Sequence, residues 1–379
     1  MKFFHLADLH LGKRYNELPL IDDQRYILNS ILSYADEERP QAVLIAGDVY
    51  DKTIPSTDAV ELFDWFLNEL TNRGILSFVI SGNHDSPERL SFGSRLLNGI
   101  GVHISPVFGG SVAPVKLNDG YGEVNVYLLP FIKPVAVRRF FGEDSCKNYT
   151  EALSTVIGNM QIDNSVRNVL VAHQFVTGSI SSGSEERVVG DVGNVDYEVF
   201  APFDYVALGH IHKAQNVGRE TVRYSGTPLK YSLSEKDDNK TLTVVELKEK
   251  GNISINTLPL TPLRDVSEIR GEYVSLTSKP FYENAKFKND LLHVVLTDEE
   301  EVPDALGKLR LIYPFVMSLK YDNARTRSSA EAIELCATEE KTPIELFSEL
   351  YEKQNNSPLS EEQRKIVEGV IDKIWGDGQ

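Results

Sequence analysis

Five short apolar runs in this chain each lead into residues that bind metal through oxygen or nitrogen, and that repetition constrains the fold more than any other feature. The runs are Lys2–Leu6, Ala42–Ala46, Ser77–Ile80, Asn168–Ala172 and Tyr205–Leu208. They lead into Asp8 and His10 in LADLHLG, Asp48 in LIAGDVYD, Asn83 in VISGNHD, His173 in VLVAHQF, and His210 and His212 in VALGHIH. Short continuous apolar runs of this kind read as buried strands. A polar residue just past the carboxyl end of each strand draws five distant pieces of chain to one edge of a sheet. Open α/β sheets place their sites at that edge.

Carboxylate, amide and imidazole donors with no thiolate suit a hard or borderline divalent ion: Mn²⁺ first, with Mg²⁺ or Fe²⁺ as alternatives. Seven donors exceed one tetrahedral site, which predicts two metals and phosphoester hydrolysis. Asp48 is the natural bridge, since a carboxylate offers one oxygen to each ion. Asp8, His10 and one distal histidine would complete the first ion; Asn83, His173 and the other distal histidine would complete the second. His210 and His212, two apart on an extended segment, point the same way. His84, between Asn83 and Asp85, is placed to reach substrate, with Asp85 expected to orient its ring. His5, His103 and His293 read as structural. Any one of these elements is weak alone; the ordered set DxH, GDxxD, GNHD, H, GHxH is strong.

The remaining numbers bound the class. A chain of 379 residues, 41% hydrophobic and 25% charged, is ordinary globular protein with room for two or three domains. The first residues carry no cleavable signal pattern, and no apolar run reaches the ~20 residues of a membrane span, which predicts a cytoplasmic protein. Cys146 and Cys336 lie outside any metal-type spacing and read as reduced thiols. The net charge of −17 argues against a nucleic-acid binder. Two divalent ions reverse that sign locally where a phosphate would sit.

Strand and helix alternate over the first 100 residues, with helical stretches at Asp22–Glu38, Ser56–Leu70 and from Ser86-Pro87-Glu88. This is layered α/β grammar. Thr150–Met160 reads as a helix, and Lys240–Leu247 with Asn252–Leu258 as a hairpin. After about residue 262 the pattern changes to a small β-α-β unit: Leu291–Leu296, Pro303–Leu309 and Phe315–Tyr321. Asp322–Glu340 is polar and reads as loose. Two capped amphipathic helices follow, one opening at Thr342-Pro343 with Leu346, Phe347, Leu350 and Tyr351 apolar. The other opens at Ser360, with Ile366, Val367, Val370, Ile371, Ile374 and Trp375 in a stripe.

With these residues in hand, the chain resembles the calcineurin-like metallophosphoesterases over roughly residues 1–260, with every position of the metal pattern filled. LADLHLGKR, GDVYDKTIPS, SGNHDSPERL, ALGHIHK and YSGTPLKYS further resemble the branch of DNA-processing nuclease subunits that pair with an ABC-type ATPase. The resemblance implies a layered β-sandwich flanked by helices, Mn²⁺-dependent exonuclease action at duplex ends, and endonuclease action at hairpins. It also implies a homodimer joined to two ATPase subunits. The corresponding division is a nuclease domain at 1–262, a small DNA-capping unit at 263–325, and a helical ATPase-binding segment at 326–379. Ser56–Leu70 and Pro87–Leu97 are expected at the dimer interface. Lys13, Arg14, Tyr15 and Arg89 follow the metal motifs and are candidate phosphate contacts. The rival readings are a small-molecule phosphodiesterase or phosphatase with the same metals, and a non-catalytic scaffold, which would have lost ligands.

Overall fold

The computed structural model describes residues 1–16, 18–183, 194–324, 326, 343–355 and 357–375. Two six-stranded sheets carry the molecule. The first runs, in spatial order, Ile253–Pro259, Thr241–Leu247, Lys2–Leu6, Ala42–Ala46, Leu76–Ile80 and Val102–Ile104. Its last four strands are parallel, and the Thr241–Leu247 hairpin is added antiparallel at Lys2–Leu6. The second runs Gln215–Val217, Arg219–Tyr224, Tyr205–Gly209, Arg167–His173, Gly122–Leu128 and Pro114–Asp119, parallel through its four central strands.

Side-chain alternation explains the layering. Phe3, Leu44, Phe78 and Val245 of the first sheet meet Val126, Val169, Val171 and Tyr205 of the second in a core between the sheets. The opposite face of the first sheet, with Phe4, Val43, Ile45 and Val79, packs on Ile27, Ile31, Leu62 and Phe66 of helices Ile21–Glu38 and Thr57–Asn72. The outer face of the second sheet covers Leu153 and Val156 of helix Tyr149–Gly158. Strands buried on both sides need no polar alternation, so they appear in the sequence as unbroken apolar runs. Each fully buried Leu or Phe contributes about 1.5–3 kcal/mol. The result is a helix–sheet–sheet–helix sandwich.

The sequence expectations and the elements agree closely for the long helices and both hairpin strands. The segment opening at Ser86 is different: it breaks into two single turns of helix, Pro87–Leu90, capped by Ser86, and Ser94–Leu97. Beyond residue 262, Leu291–Leu296 and Val316–Tyr321 form with a strand not anticipated, Val266–Gly271, an all-parallel three-stranded sheet. Its own core contains Ile269, Leu292, Val294, Leu309 and Tyr313. Most of Asp322–Glu340, and the cap residue Thr342, lie outside the described residues. The helices Pro343–Asn355 and Glu361–Trp375 are present. At the second, Ser360 and Gln363 cap each other: Gln363 N–H donates to Ser360 Oγ at 3.2 Å and Ser360 N–H to Gln363 Oε1 at 2.9 Å.

Candidate metal centre

The parallel strands of both sheets deliver their following loops to one edge, and all seven predicted ligands meet there. The backbone is forced to turn sharply as it leaves Lys2–Leu6, Ala42–Ala46 and Tyr205–Gly209. Asp8, His10, Asp48 and His210 have φ of 53°, 44°, 47° and 103°. A non-glycine residue in that region costs about 1–2 kcal/mol, a strain held only where the surroundings over-determine it. The loops hold one another: Asp8 N–H donates to Gly47 O at 3.0 Å, and His10 N–H to Asp48 O at 2.9 Å. The sheets come so close that a Cβ on Gly209 would lie 1.8 Å from Ala46 O, and within the first sheet a Cβ on Gly82 would lie 2.1 Å from Asp48 Oδ1.

Two clusters result, with Asp48 between them. Asp8, His10 and His212 form the first, with ligand atoms within 4.8 Å of one another. In the second, Asn83 Oδ1 lies 2.9 Å from His173 Nε2 and 3.0 Å from His210 Nδ1. Asp48 Oδ2 stands 3.3 Å from His173 Nε2 and 3.8 Å from His10 Nε2. His212 therefore groups with the first cluster and His210 with the second. The donor set fits divalent cations on geometric grounds. Two donors each about 2.1 Å from one ion, at 90–109°, stand about 3.0–3.4 Å apart. His10 Nε2 and His212 Nε2 face each other at 3.3 Å, where two imidazole lone pairs repel unless a proton or cation lies between them.

The electrostatics set the two carboxylates apart. Burial drives the Asp8 carboxyl upward, against the pull of His173 and His212. Asp48 is equally buried, yet His173, His10 and His84 hold it well below the ordinary carboxylate range. Burial also drives His10 well below its usual value, which keeps a ring nitrogen unprotonated for a cation. His173 donates its Nδ1 proton to Ala46 O at 2.8 Å, leaving Nε2 turned inward.

His84 sits half-exposed at the rim, its ring edge-on to His10 with centroids 4.9 Å apart. Its Nδ1 meets Asp51 O at 3.1 Å. A carbonyl only accepts, so Nδ1 carries the proton and Nε2 is the nitrogen open to chemistry. The expected orienting role of Asp85 is not what the geometry shows. Asp85 accepts from the backbone N–H groups of Val49, Tyr50 and Gly82 at 2.9–3.0 Å and so fixes the Asp48 loop.

The phosphate-contact candidates divide. Arg14 and Arg89 are exposed, and Lys13 Nζ pairs with Asp51 Oδ1 at 2.8 Å beside the first cluster. Tyr15 is withdrawn from any such role. It is buried, and its hydroxyl meets His293 Nε2 at 2.7 Å, joining the metal loop to the three-stranded unit. His293 is thus structural, as are His5, between Tyr205 and Leu208, and His103, stacked on Phe78. Sequence reasoning missed Asp51, Glu235, Lys240 and Gln24. Gln24 donates to His10 O at 2.7 Å from helix Ile21–Glu38. Only spatial proximity marks these residues, apart from Asp51 as the last position of GDxxD.

Comparison with known proteins settles the family. The profile described as calcineurin-like phosphoesterase matches residues 1–214, more than half of the chain. A curated protein from Staphylococcus epidermidis, the SbcD component of the SbcCD nuclease, is 32% identical over 381 residues, covering 99% of each chain. The chain belongs to the SbcD branch of the calcineurin-like phosphoesterases. A second profile, described as Type 5 capsule protein repressor C-terminal domain, matches residues 262–355. Among solved structures, a dimetal phosphatase from Danio rerio is 13% identical with a TM-score of 0.41, covering 69% of this chain and 98% of that one. The protein TT1561 of Thermus thermophilus is 10% identical with a TM-score of 0.37, covering 68% and 98%. The calcineurin-like fold implies divalent metals, and this SbcD-branch chain gathers the residues to hold them.

Proposed function

We propose that this chain is the nuclease subunit of an SbcCD-type complex, a metal-dependent phosphodiesterase that cuts DNA. It acts as an exonuclease on duplex ends and an endonuclease on hairpins and single strands, in DNA repair and recombination. The carrying observation is the convergence of all seven oxygen and nitrogen donors with His84 at one sheet edge, in a chain similar along its whole length to a curated nuclease subunit. That full-length similarity favours the nuclease over a small-molecule phosphodiesterase.

Asp8, His10, His212, Asn83, His173 and His210, with Asp48 between, would hold two cations, Mn²⁺ by preference. When bound, these supply Lewis-acid charge to a phosphodiester. The protein does the rest. The Asp51 carbonyl holds the His84 ring through Nδ1–H so that Nε2 faces the substrate, where in the imidazolium form, with both nitrogens protonated, it donates the Nε2 proton to the phosphoryl or leaving oxygen. Asp85 keeps the Asp48 loop in place through three backbone bonds. Lys13, Arg14 and Arg89 contribute positive charge near the cut strand.

The partners follow from exposed apolar surface. Phe92, Leu96 and Ile100 are 87%, 84% and 58% exposed, and Val60 of helix Thr57–Asn72 is 44% exposed, which suits a homodimer built on these two segments. Ile366 and Val370, at 67% and 48%, lie along helix Glu361–Trp375; they suit a groove on an SbcC-type ABC ATPase in a heterotetramer. The unit at 263–325 caps the DNA path, and the complex works in the cytoplasm.

The test is cleavage of a labelled hairpin-ended duplex by the purified chain with Mn²⁺, with and without EDTA, beside a bis-phosphodiester small ester. Metal-dependent DNA cutting supports the nuclease. Turnover of the ester with DNA untouched, even after the ATPase is added, refutes it.

A further inference from the structure

A buried ion pair stands behind His212. Glu235 is fully buried and Lys240 nearly so, with Lys240 Nζ 2.6 Å from Glu235 Oε2. Lys240 also donates to Thr227 Oγ1 at 2.7 Å and to the His212 carbonyl at 2.9 Å, so all three of its protons are directed. Glu235 accepts the Ser232 hydroxyl at 3.1 Å and the Thr227 hydroxyl at 3.2 Å. Its Oε1 faces His212 Nδ1 at 3.4 Å. Thr227 N–H adds a bond to the His212 carbonyl at 3.1 Å. The segment between GHIHK and the hairpin strand Thr241–Leu247 therefore wraps His212 from both its ring and its peptide.

Stability alone does not account for this arrangement. Apolar residues of similar volume in place of a buried ion pair are often neutral or stabilising, because desolvation offsets the attraction. Orientation does account for it. A carboxylate only accepts, so His212 carries its proton on Nδ1 and presents the Nε2 lone pair toward His10. His173, by contrast, is oriented by the neutral carbonyl of Ala46. A carboxylate behind a ligating imidazole makes it a stronger donor than a carbonyl does.

We infer that Glu235, fixed by Lys240, Thr227 and Ser232, is a positioning residue for one cation only. It locks the His212 ring for the cluster Asp8–His10–His212, whereas His173 in the cluster with Asn83 and His210 relies on a neutral carbonyl. This rests on the metal reading above.

The experiment compares the full chain with Glu235→Gln, titrating Mn²⁺ by calorimetry and electron paramagnetic resonance. Gln keeps the shape and can still accept from Lys240. Wild type should bind two Mn²⁺. The variant should bind one of them about 10–100-fold more weakly and the other unchanged, with kcat largely recovered at saturating Mn²⁺. A purely structural Glu235 would lower the metal-free melting temperature and move neither affinity. The pairwise change Glu235→Leu with Lys240→Met, which leaves no buried charge, should reproduce the selective weakening. Unchanged affinities in a folded variant, or equal weakening of both sites, overturn the inference. A wild type that binds no Mn²⁺ overturns the metal reading itself, and that baseline separates the two failures.

Discussion

Backbone strain at the ligands sets what single residues tolerate. Asp8, His10, Asp48 and His210 are held at positive φ by bonds between loops of different strands, so the donors are placed before any cation arrives. Gly209 shows the tolerance: Gly209→Ala drives a Cβ into Ala46 O at 1.8 Å, and backbone cannot yield as a side-chain tip can. We expect a loss of more than about 4 kcal/mol, in the exceptional range for one substitution, read as a collapsed denaturant midpoint. His84→Ser should do the opposite. It leaves the seven donors and the fold in place, so Mn²⁺ binding stays while DNA cleavage falls about 10²–10⁴-fold. Full cleavage by that variant would remove His84 from the chemistry. The seven donors were legible because each lies at the end of a strand or within four residues of it, where a polar residue has no packing use. Their supports were not: Asp85 looked like the orienter of His84 by adjacency, while Asp51 O, 33 positions away, holds the ring.

Elements were legible in proportion to their burial. Ala42–Ala46 and Tyr205–Gly209 are buried at every position and read as uninterrupted apolar runs. Val266–Gly271, at the edge of its sheet and buried only at Val266 and Ile269, carries too few apolar residues to announce a strand. Arg167, at the start of a central strand, was equally hidden: a fully buried guanidinium on a strand is not a pattern the sequence advertises. It contacts Asp119 at 2.5 Å and the carbonyls of Gly122, Leu247 and Lys248, clamping the edges of both sheets. Asp119→Ala leaves that charge with carbonyl partners alone, and should cost about 3 kcal/mol, the low end for a broken buried pair. Arg167 beside Asp119 holds its carboxyl well below the usual range against the opposing effect of burial, with the N-terminal ammonium adding to the pull. A depressed folded value means the pair's stabilisation is complete above the ordinary carboxylate range and is lost as pH falls through and below it. Acid denaturation of the wild type should therefore be steeper than that of Asp119→Ala below about pH 4.

At the scale of the whole molecule, the same edge that builds the site also joins the sheets, so cation binding and folding are linked. His173 of the second sheet bonds Ala46 O of the first, and Asp8 of the first accepts the His210 N–H of the second at 2.9 Å. An unfolded chain scatters these donors, so cations bind the folded state and shift the equilibrium toward it. At free Mn²⁺ a hundredfold above Kd, each site adds about 2.7 kcal/mol. With about 2–4 °C per kcal/mol for a domain of this size, removal of one such ion by EDTA should lower the melting temperature by about 5–10 °C. Glu235→Gln should show a smaller drop at the same Mn²⁺, because one site starts less filled. High salt should narrow the EDTA effect only slightly, because the donors at the edge are buried and buried charges are poorly screened. An EDTA shift below about 1 °C in the wild type, small against the linkage expected for even one filled site, would show that the edge is assembled by packing alone.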